Sequence, residues 1–257
     1  MKSEYVLPIT IVVAGALIAG AVFLVGKSNN PGTAANGTTK VSAREYQPGT
    51  DHVLGDPSAP VKVVEYADLE CPFCKTFNAT MHQVMDYYGP SGKVAWVYRP
   101  FPLTQIHSKA PKEAEAAECA ADQGGDAAFY KYLDQVYAVT PGENNLDLAQ
   151  LPVIAKNVGL NVDTFNQCLN TGKYASKIQA SYNEAISLGA QGTPFILIMV
   201  GKDSVVLQGN QPYDSMRAAI DAVLGQLPGG AGAVSTSTPS TSSGQAPSSA
   251  SGQAPTN

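Results

Sequence analysis

Two cysteines, Cys71 and Cys74, sit where a β-branched run ends and a helical pattern begins. Val61, Val63 and Val64 lead through Glu65-Tyr66-Ala67-Asp68-Leu69-Glu70 into Cys71-Pro72-Phe73-Cys74. A cysteine in the first turn of a helix faces unpaired backbone N–H groups and the positive end of the helix dipole, which favour thiolate over thiol. The thiolate is the form that attacks disulfides. The spacing therefore points to thiol–disulfide exchange, with Cys71 as nucleophile and Cys74, one turn deeper, resolving the mixed disulfide. Pro72 suits the first helical turn, where a missing N–H costs little. A purely structural short-loop disulfide is the plainer alternative. The pair itself carries two electrons, so no bound cofactor is expected.

C-x-x-C is also half of many zinc sites, which need a second pair at matching spacing. Cys119 and Cys168 stand alone, and none of His52, His82 and His107 pairs with another at ligand spacing. No metal site is expected. His107 is expected to start or cap a helix, and His82 to face solvent.

Glu65 interrupts the apolar strand on the face it shares with Val61 and Val63. Buried there it needs a partner or titrates in function; the alternative is a strand-end glutamate in solvent. Cys119 and Cys168 fall on the apolar sides of their helices. An even cysteine count on an exported chain favours a structural disulfide over two buried thiols. In the loop-entropy model such a bond stabilises by roughly 4 kcal/mol.

The ends of the chain frame these residues. Residues 6–26 carry no charge; as a helix they would be about 31 Å long, enough to cross a bilayer core. A membrane anchor is expected, with a cleaved signal as the alternative. Residues 28–50 read as a flexible linker, spanning roughly 25–30 Å as a random coil. Residues 229–257 repeat Ser-Gly-Gln-Ala-Pro and lack large apolar residues, the composition of a disordered tail. A net charge of −5 without basic runs argues against nucleic acid.

Residues 51–228 form the expected domain. Val61–Ala67 reads as a buried strand, residues 72–88 as a helix with Phe73, Phe77, Met81, Val84, Met85 and Tyr88 on one face, and residues 94–98 as a second strand. This βαβ unit implies a parallel pair. Helical patterns follow at 107–123, 127–139, 147–158, 163–169 (with Asp163 as N-cap) and 174–188, an all-helical insertion over about 105–190. After Gly192-Thr193-Pro194 come a hairpin, 195–200 and 205–208, and a last helix, 212–224.

The order βαβ, helical insertion, ββα resembles the thioredoxin fold of the DsbA-like (DsbA/BdbD-type) thiol:disulfide oxidoreductases, an α/β fold. The marks are Val64-Glu65-Tyr66, Glu70-Cys71-Pro72-Phe73-Cys74, Tyr98-Arg99-Pro100-Phe101-Pro102-Leu103, Glu118-Cys119-Ala120-Ala121-Asp122-Gln123-Gly124 and Gly192-Thr193-Pro194. The resemblance implies that Pro194 is the family's cis-proline, that the Thr193 backbone pairs with an extended client chain beside Pro72 and Phe73, and that Glu65 relays the proton of Cys74. Family members with His in place of Phe73 are the strongest oxidants. Phe cannot donate a hydrogen bond, and Glu70 beside Cys71 should disfavour a second charge, so a weaker oxidant is expected.

The resemblance further implies an exported, membrane-tethered monomer that oxidises reduced exported client proteins outside the cytoplasm. A quinone-linked membrane oxidase of the DsbB or VKOR type would recycle it. The alternatives are a disulfide isomerase or reductase of the same fold, or a non-catalytic peptide-binding module.

Overall fold

The β-branched run becomes the middle of a sheet because both its faces are covered. In a computed structural model that describes residues 40–228, strand β3 (Val61–Ala67) is buried along nearly its whole length. Before it come two three-residue strands, β1 (Lys40–Ser42) and β2 (His52–Leu54). After it come helix α1 (Pro72–Tyr88), a 3-10 turn at Gly89–Ser91 and strand β4 (Val94–Pro100). Helices α2 (Ala110–Val139), α3 (Gln150–Asn157), α4 (Val162–Thr171) and α5 (Ala175–Ser187) make up the insertion. Strands β5 (Phe195–Val200) and β6 (Asp203–Gln208) and helix α6 (Tyr213–Leu224) close the fold.

The six-stranded sheet has the order β1-β6-β5-β3-β4-β2. β3 and β4 are parallel, with Val63 opposite Trp96 and Glu65 opposite Tyr98; β3 and β5 are antiparallel, with Glu65 opposite Ile196. The two-residue period of a strand sorts its side chains into two cores. Val61, Val63 and Ala67 pack with Phe77, Met81, Val84, Met216 and Ile220 of α1 and α6 and with the insertion. Val64 and Tyr66 pack on the other side with Phe195, Leu197, Ala185 and Tyr182. Sheet and flanking helices make the α/β thioredoxin architecture, with the helical region inserted between β4 and β5.

Several expected boundaries move. The patterns at 107–123 and 127–139 become one element, α2, broken at Gly124 (φ −153°, ψ 20°) and Gly125 (φ 61°, ψ −151°). Gly125 takes a left-handed conformation that a side chain would strain. The cap of α4 is Asn161, whose side chain accepts from the Thr164 N–H at 2.9 Å, so Asp163 lies inside the first turn instead of capping it. The linker is shorter than its composition suggests. Val41 pairs with Ser204 in an edge strand, and Arg44 and Asp51 bind each other through two 2.8 Å hydrogen bonds. Polar residues there are held by a buried guanidinium, Arg99, which donates to Asp51, to the carbonyls of Arg44 and Glu45 and to the Tyr66 hydroxyl.

The expected anchor at 6–26 and tail at 229–257 lie outside the described residues. Among the described residues no helix is long and apolar enough to cross a membrane.

Candidate active site

The end of β3 and the start of α1 build the site. Cys71 is the N-cap residue (φ −78°, ψ 120°), and Pro72 occupies the first helical position. Cys71 is almost buried and Cys74 wholly so; both are free thiols. The turn between strand and helix is fixed by Asp68. Its carbonyl accepts from the Cys71 N–H at 3.1 Å, and Oδ1 accepts from the Glu70 N–H at 2.7 Å. Oδ2 accepts from the Leu103 N–H at 2.7 Å and lies 2.9 Å from Nδ1 of His107. His107 thus stands ahead of α2, buried against Asp68, and does not start the helix. His82 is only partly exposed, pairing with Asp134 at 2.7 Å and meeting the edge of Trp96.

The Thr193–Pro194 peptide bond is cis and brings Thr193 over the first cysteine. Cys71 Sγ lies 3.5 Å from the Thr193 carbonyl oxygen, to which the thiol donates. The Thr193 hydroxyl is buried without a hydrogen-bond partner, and Thr193 is among the groups that lower the Cys71 thiol.

The two sulfurs are unequal. The Cys74 thiol donates to the Cys71 sulfur, and that donation is the largest influence on Cys71; burial opposes it, while Thr193 and the backbone N–H groups of Cys74 and Phe73 assist. The Cys71 thiol is lowered to about 6. Burial, then donation to Cys71 and the charge on it, push Cys74 well above the usual thiol range. At neutral pH the pair holds one thiolate, on Cys71.

Glu65 lies beneath them, fully buried. The Trp96 indole donates to its Oε2 at 3.0 Å, and Oε1 has no partner. Burial raises its carboxyl to about 8, the indole hydrogen bond lowers it, and the Cys71 charge raises it. Glu65 also raises Cys74. Cys71, Cys74, Glu65 and Thr193 therefore share one electrostatic neighbourhood, with Pro194 joined to it by the cis bond and Phe73 standing 61% exposed.

Glu70 behaves differently from its sequence expectation. Its carboxylate turns away from the thiols and accepts from the Leu146 N–H at 3.0 Å and the Asn145 N–H at 3.2 Å. It does not figure among the influences on Cys71. Cys119 and Cys168 are joined, α2 to α4, with Cα atoms 5.8 Å apart. Sequence reasoning missed Asp68 and Trp96. Asp68 lies between Glu65 and Cys71 in the chain, a signal for a turn; Trp96 reaches the site only through long-range packing. Among the described residues no cluster of side chains could hold a metal ion.

Residues 47–222 match the family described as Thioredoxin. The chain is 36% identical over 151 residues to the Na(+)/H(+) antiporter NhaA 3 of Salinispora tropica, covering 59% of this chain but only 22% of that protein. It thus spans about a fifth of the length of that curated relative. It is 30% identical over 183 residues to the probable disulfide bond formation protein D of Bacillus cereus, covering 68% of this chain and 79% of that one. Among solved structures, DsbA2 of Pseudomonas aeruginosa superposes with a TM-score of 0.58 at 30% identity, covering 69% of this chain and 96% of the other.

Proposed function

The chain belongs to the DsbA-like thiol:disulfide oxidoreductases of the thioredoxin family, and from there we propose that it introduces disulfides into exported proteins through Cys71-Pro72-Phe73-Cys74. The observation that carries this reading is the inequality of the two sulfurs, with Cys71 lowered to about 6 and Cys74 raised. A low-pKa sulfur leaves a mixed disulfide readily, and its stability as a thiolate favours the reduced enzyme, which makes the oxidised enzyme a disulfide donor.

In the proposed cycle a client thiolate attacks Cys71 Sγ of the oxidised pair. The Cys71–Cys74 bond breaks, a client–Cys71 bond forms, and Cys74 departs with the electron pair. Cys74 takes a proton, for which protonated Glu65 is the nearby donor. A second client thiolate then attacks the client sulfur of the mixed disulfide, and Cys71 leaves as thiolate. The client has lost two electrons and the enzyme has gained them. Thr193 and the exposed Phe73 supply the surface on which the client chain lies, beside Pro72 and Pro194.

A quinone-linked membrane oxidase of the DsbB or VKOR type would reoxidise the pair. An anchor at residues 6–26 would hold the domain outside the cytoplasm beside it, as a monomer. The Cys119–Cys168 bond would brace the insertion without exchanging.

The test is the equilibrium reduction potential of Cys71–Cys74 in glutathione buffers, with Cys119 and Cys168 intact, together with oxidation of a reduced model protein. A potential well above thioredoxin's, with activity lost in Cys71→Ser, supports a donor. A thioredoxin-like potential turns the reading to an isomerase or reductase, and absence of exchange to a peptide-binding module.

A further inference from the structure

Behind the residue that precedes the nucleophile lies a second pair of carboxyls that the exchange chemistry does not use. Glu70 and Glu113 are both wholly buried. Glu70 is engaged by residues 140–146, part of the loop that joins α2 to α3. Its side chain takes the Leu146 and Asn145 N–H groups and, at 3.4 Å, the Thr140 hydroxyl. Its carbonyl takes the Glu143 N–H at 2.7 Å.

The loop bends tightly to make these contacts. Gly142, Glu143 and Asn144 have φ of 77°, 56° and 66°, and two of the three carry side chains that resist this conformation. A Cβ on Gly142 would stand 3.3 Å from the Glu70 carbonyl. Lys75 of α1 and Lys109 add bonds to the carbonyls of Thr140 and Leu146, so the turn bearing Cys71 and the loop form one unit.

Glu113 presents no such set of donors: neither of its oxygens has a hydrogen-bond partner among protein donors. Its polar neighbour is the Glu70 carboxylate. A buried, unpaired carboxylate is expensive and two adjacent ones more so. A proton on Glu113 removes both difficulties, since the carboxyl O–H then donates to Glu70. We propose that Glu113 is held protonated and donates its O–H to the Glu70 carboxylate, the two acting as a positioning pair that locks residues 140–146 onto the turn that presents Cys71. The proposal rests on Cys71 being the nucleophile, as argued above.

The groups facing Glu113 agree with this protonation. Glu70 and Asp68 from the turn raise its carboxyl, Lys109 at the head of α2 lowers it, and burial, the largest influence, raises it to about 9. Tyr132 from the far half of α2 feels the Glu113 charge in turn. His107 is occupied by Asp68 and Lys75 by Thr140. When the Glu113 proton leaves in alkali, two carboxylates face each other and the loop's hold on the turn weakens.

The test is carbon-13 NMR of glutamate side-chain carboxyls in the reduced full chain, with alkylation of Cys71 followed over the same pH range. The pair requires a carboxyl titrating near 9 that is absent from Glu113→Gln and displaced in Glu70→Gln. It also requires a second inflection in the Cys71 alkylation profile there, lost in Glu113→Gln, whose amide donates to Glu70 at every pH. A purely structural Glu113 would not move that profile. Persistence of the resonance or of the inflection in Glu113→Gln overturns the pair, as does the absence of any glutamate titrating above about pH 7 once Glu65→Gln has removed that group's signal. Should Glu113→Gln fail to fold, the displacement in Glu70→Gln decides. The carboxyl titration needs no exchange activity, so it is readable even if the proposed oxidation fails.

Discussion

The Trp96 indole N–H is bonded to Oε2 of Glu65 at 3.0 Å, while Oε1 of the same carboxyl has no partner. Trp96 is the only tryptophan of the chain, so one fluorophore is attached to the acid beneath the thiols. Emission of the reduced protein should titrate with a midpoint near 8, the position to which burial raises Glu65. The transition should vanish in Glu65→Gln; its survival there would detach Trp96 emission from Glu65.

Alkylation of Cys71 in the reduced protein should be half-maximal near pH 6, where its thiol is lowered chiefly by the Cys74 hydrogen bond. Cys74→Ala removes that donor and should move the midpoint upward by about one unit or more, the scale of one charge-assisted hydrogen bond. Rates of iodoacetamide labelling against pH check both values, and an unmoved midpoint would refute the role given to Cys74.

The reduction potential should lie between about −270 and −120 mV, the thioredoxin and DsbA values. A thiolate stabilised to about 6 falls between the corresponding thiols, about 7 and about 3.5. Phe73→His should raise the potential by adding a donor beside Cys71. A potential at either limit would show that the reduced form is governed by something other than this thiolate.

Glu65→Gln should stabilise the fold at neutral pH. Glu65 is raised in the folded state to about 8. Its contribution is therefore fully present below its unfolded value, near 4.5, and is lost as pH rises through 8. At pH 7 the variant should gain roughly 1–3 kcal/mol over the parent, shrinking toward zero near pH 4. Denaturant midpoints of the reduced proteins at the two pH values measure this. An equal gain at both would deny that the carboxyl is raised.

Cys119→Ala with Cys168→Ala opens a bond of sequence separation 49 and should reduce stability by about 4 kcal/mol in the loop-entropy model. Exchange at Cys71–Cys74 should persist below the new melting temperature. Loss of exchange in a folded double variant would place this bond in the chemistry.

What could be read from the chain was local. The valine run, the cysteine pair at a helix start and the helical spacing through Tyr88 depend on neighbours within a few residues, and each stands in the fold except at Phe73, which is exposed instead of packing with Phe77. The two short strands β1 and β2 are three residues long, too brief for a period to declare itself. Asn161 lost to Asp163 as the expected cap because either residue type suits that position. The partner of Glu65 was hidden for another reason. Trp96 lies opposite Val63 in a parallel register, which no spacing in the sequence reveals. Glu70 looked like a neighbour of Cys71 in charge as well as in sequence, yet the peptide between them turns its carboxylate toward a loop far along the chain.

Lys40 joins the sheet at one rim, beside β6, and the chain then crosses to the opposite rim, where β2 lies beside β4. Arg99 fastens the crossing midway through Asp51 and two backbone carbonyls. A pull delivered at Lys40 is thus borne first by the pairs with β6 and next by a buried guanidinium. These bonds form a belt around the rim of the sheet, and none of them is made by the helix start that carries Cys71.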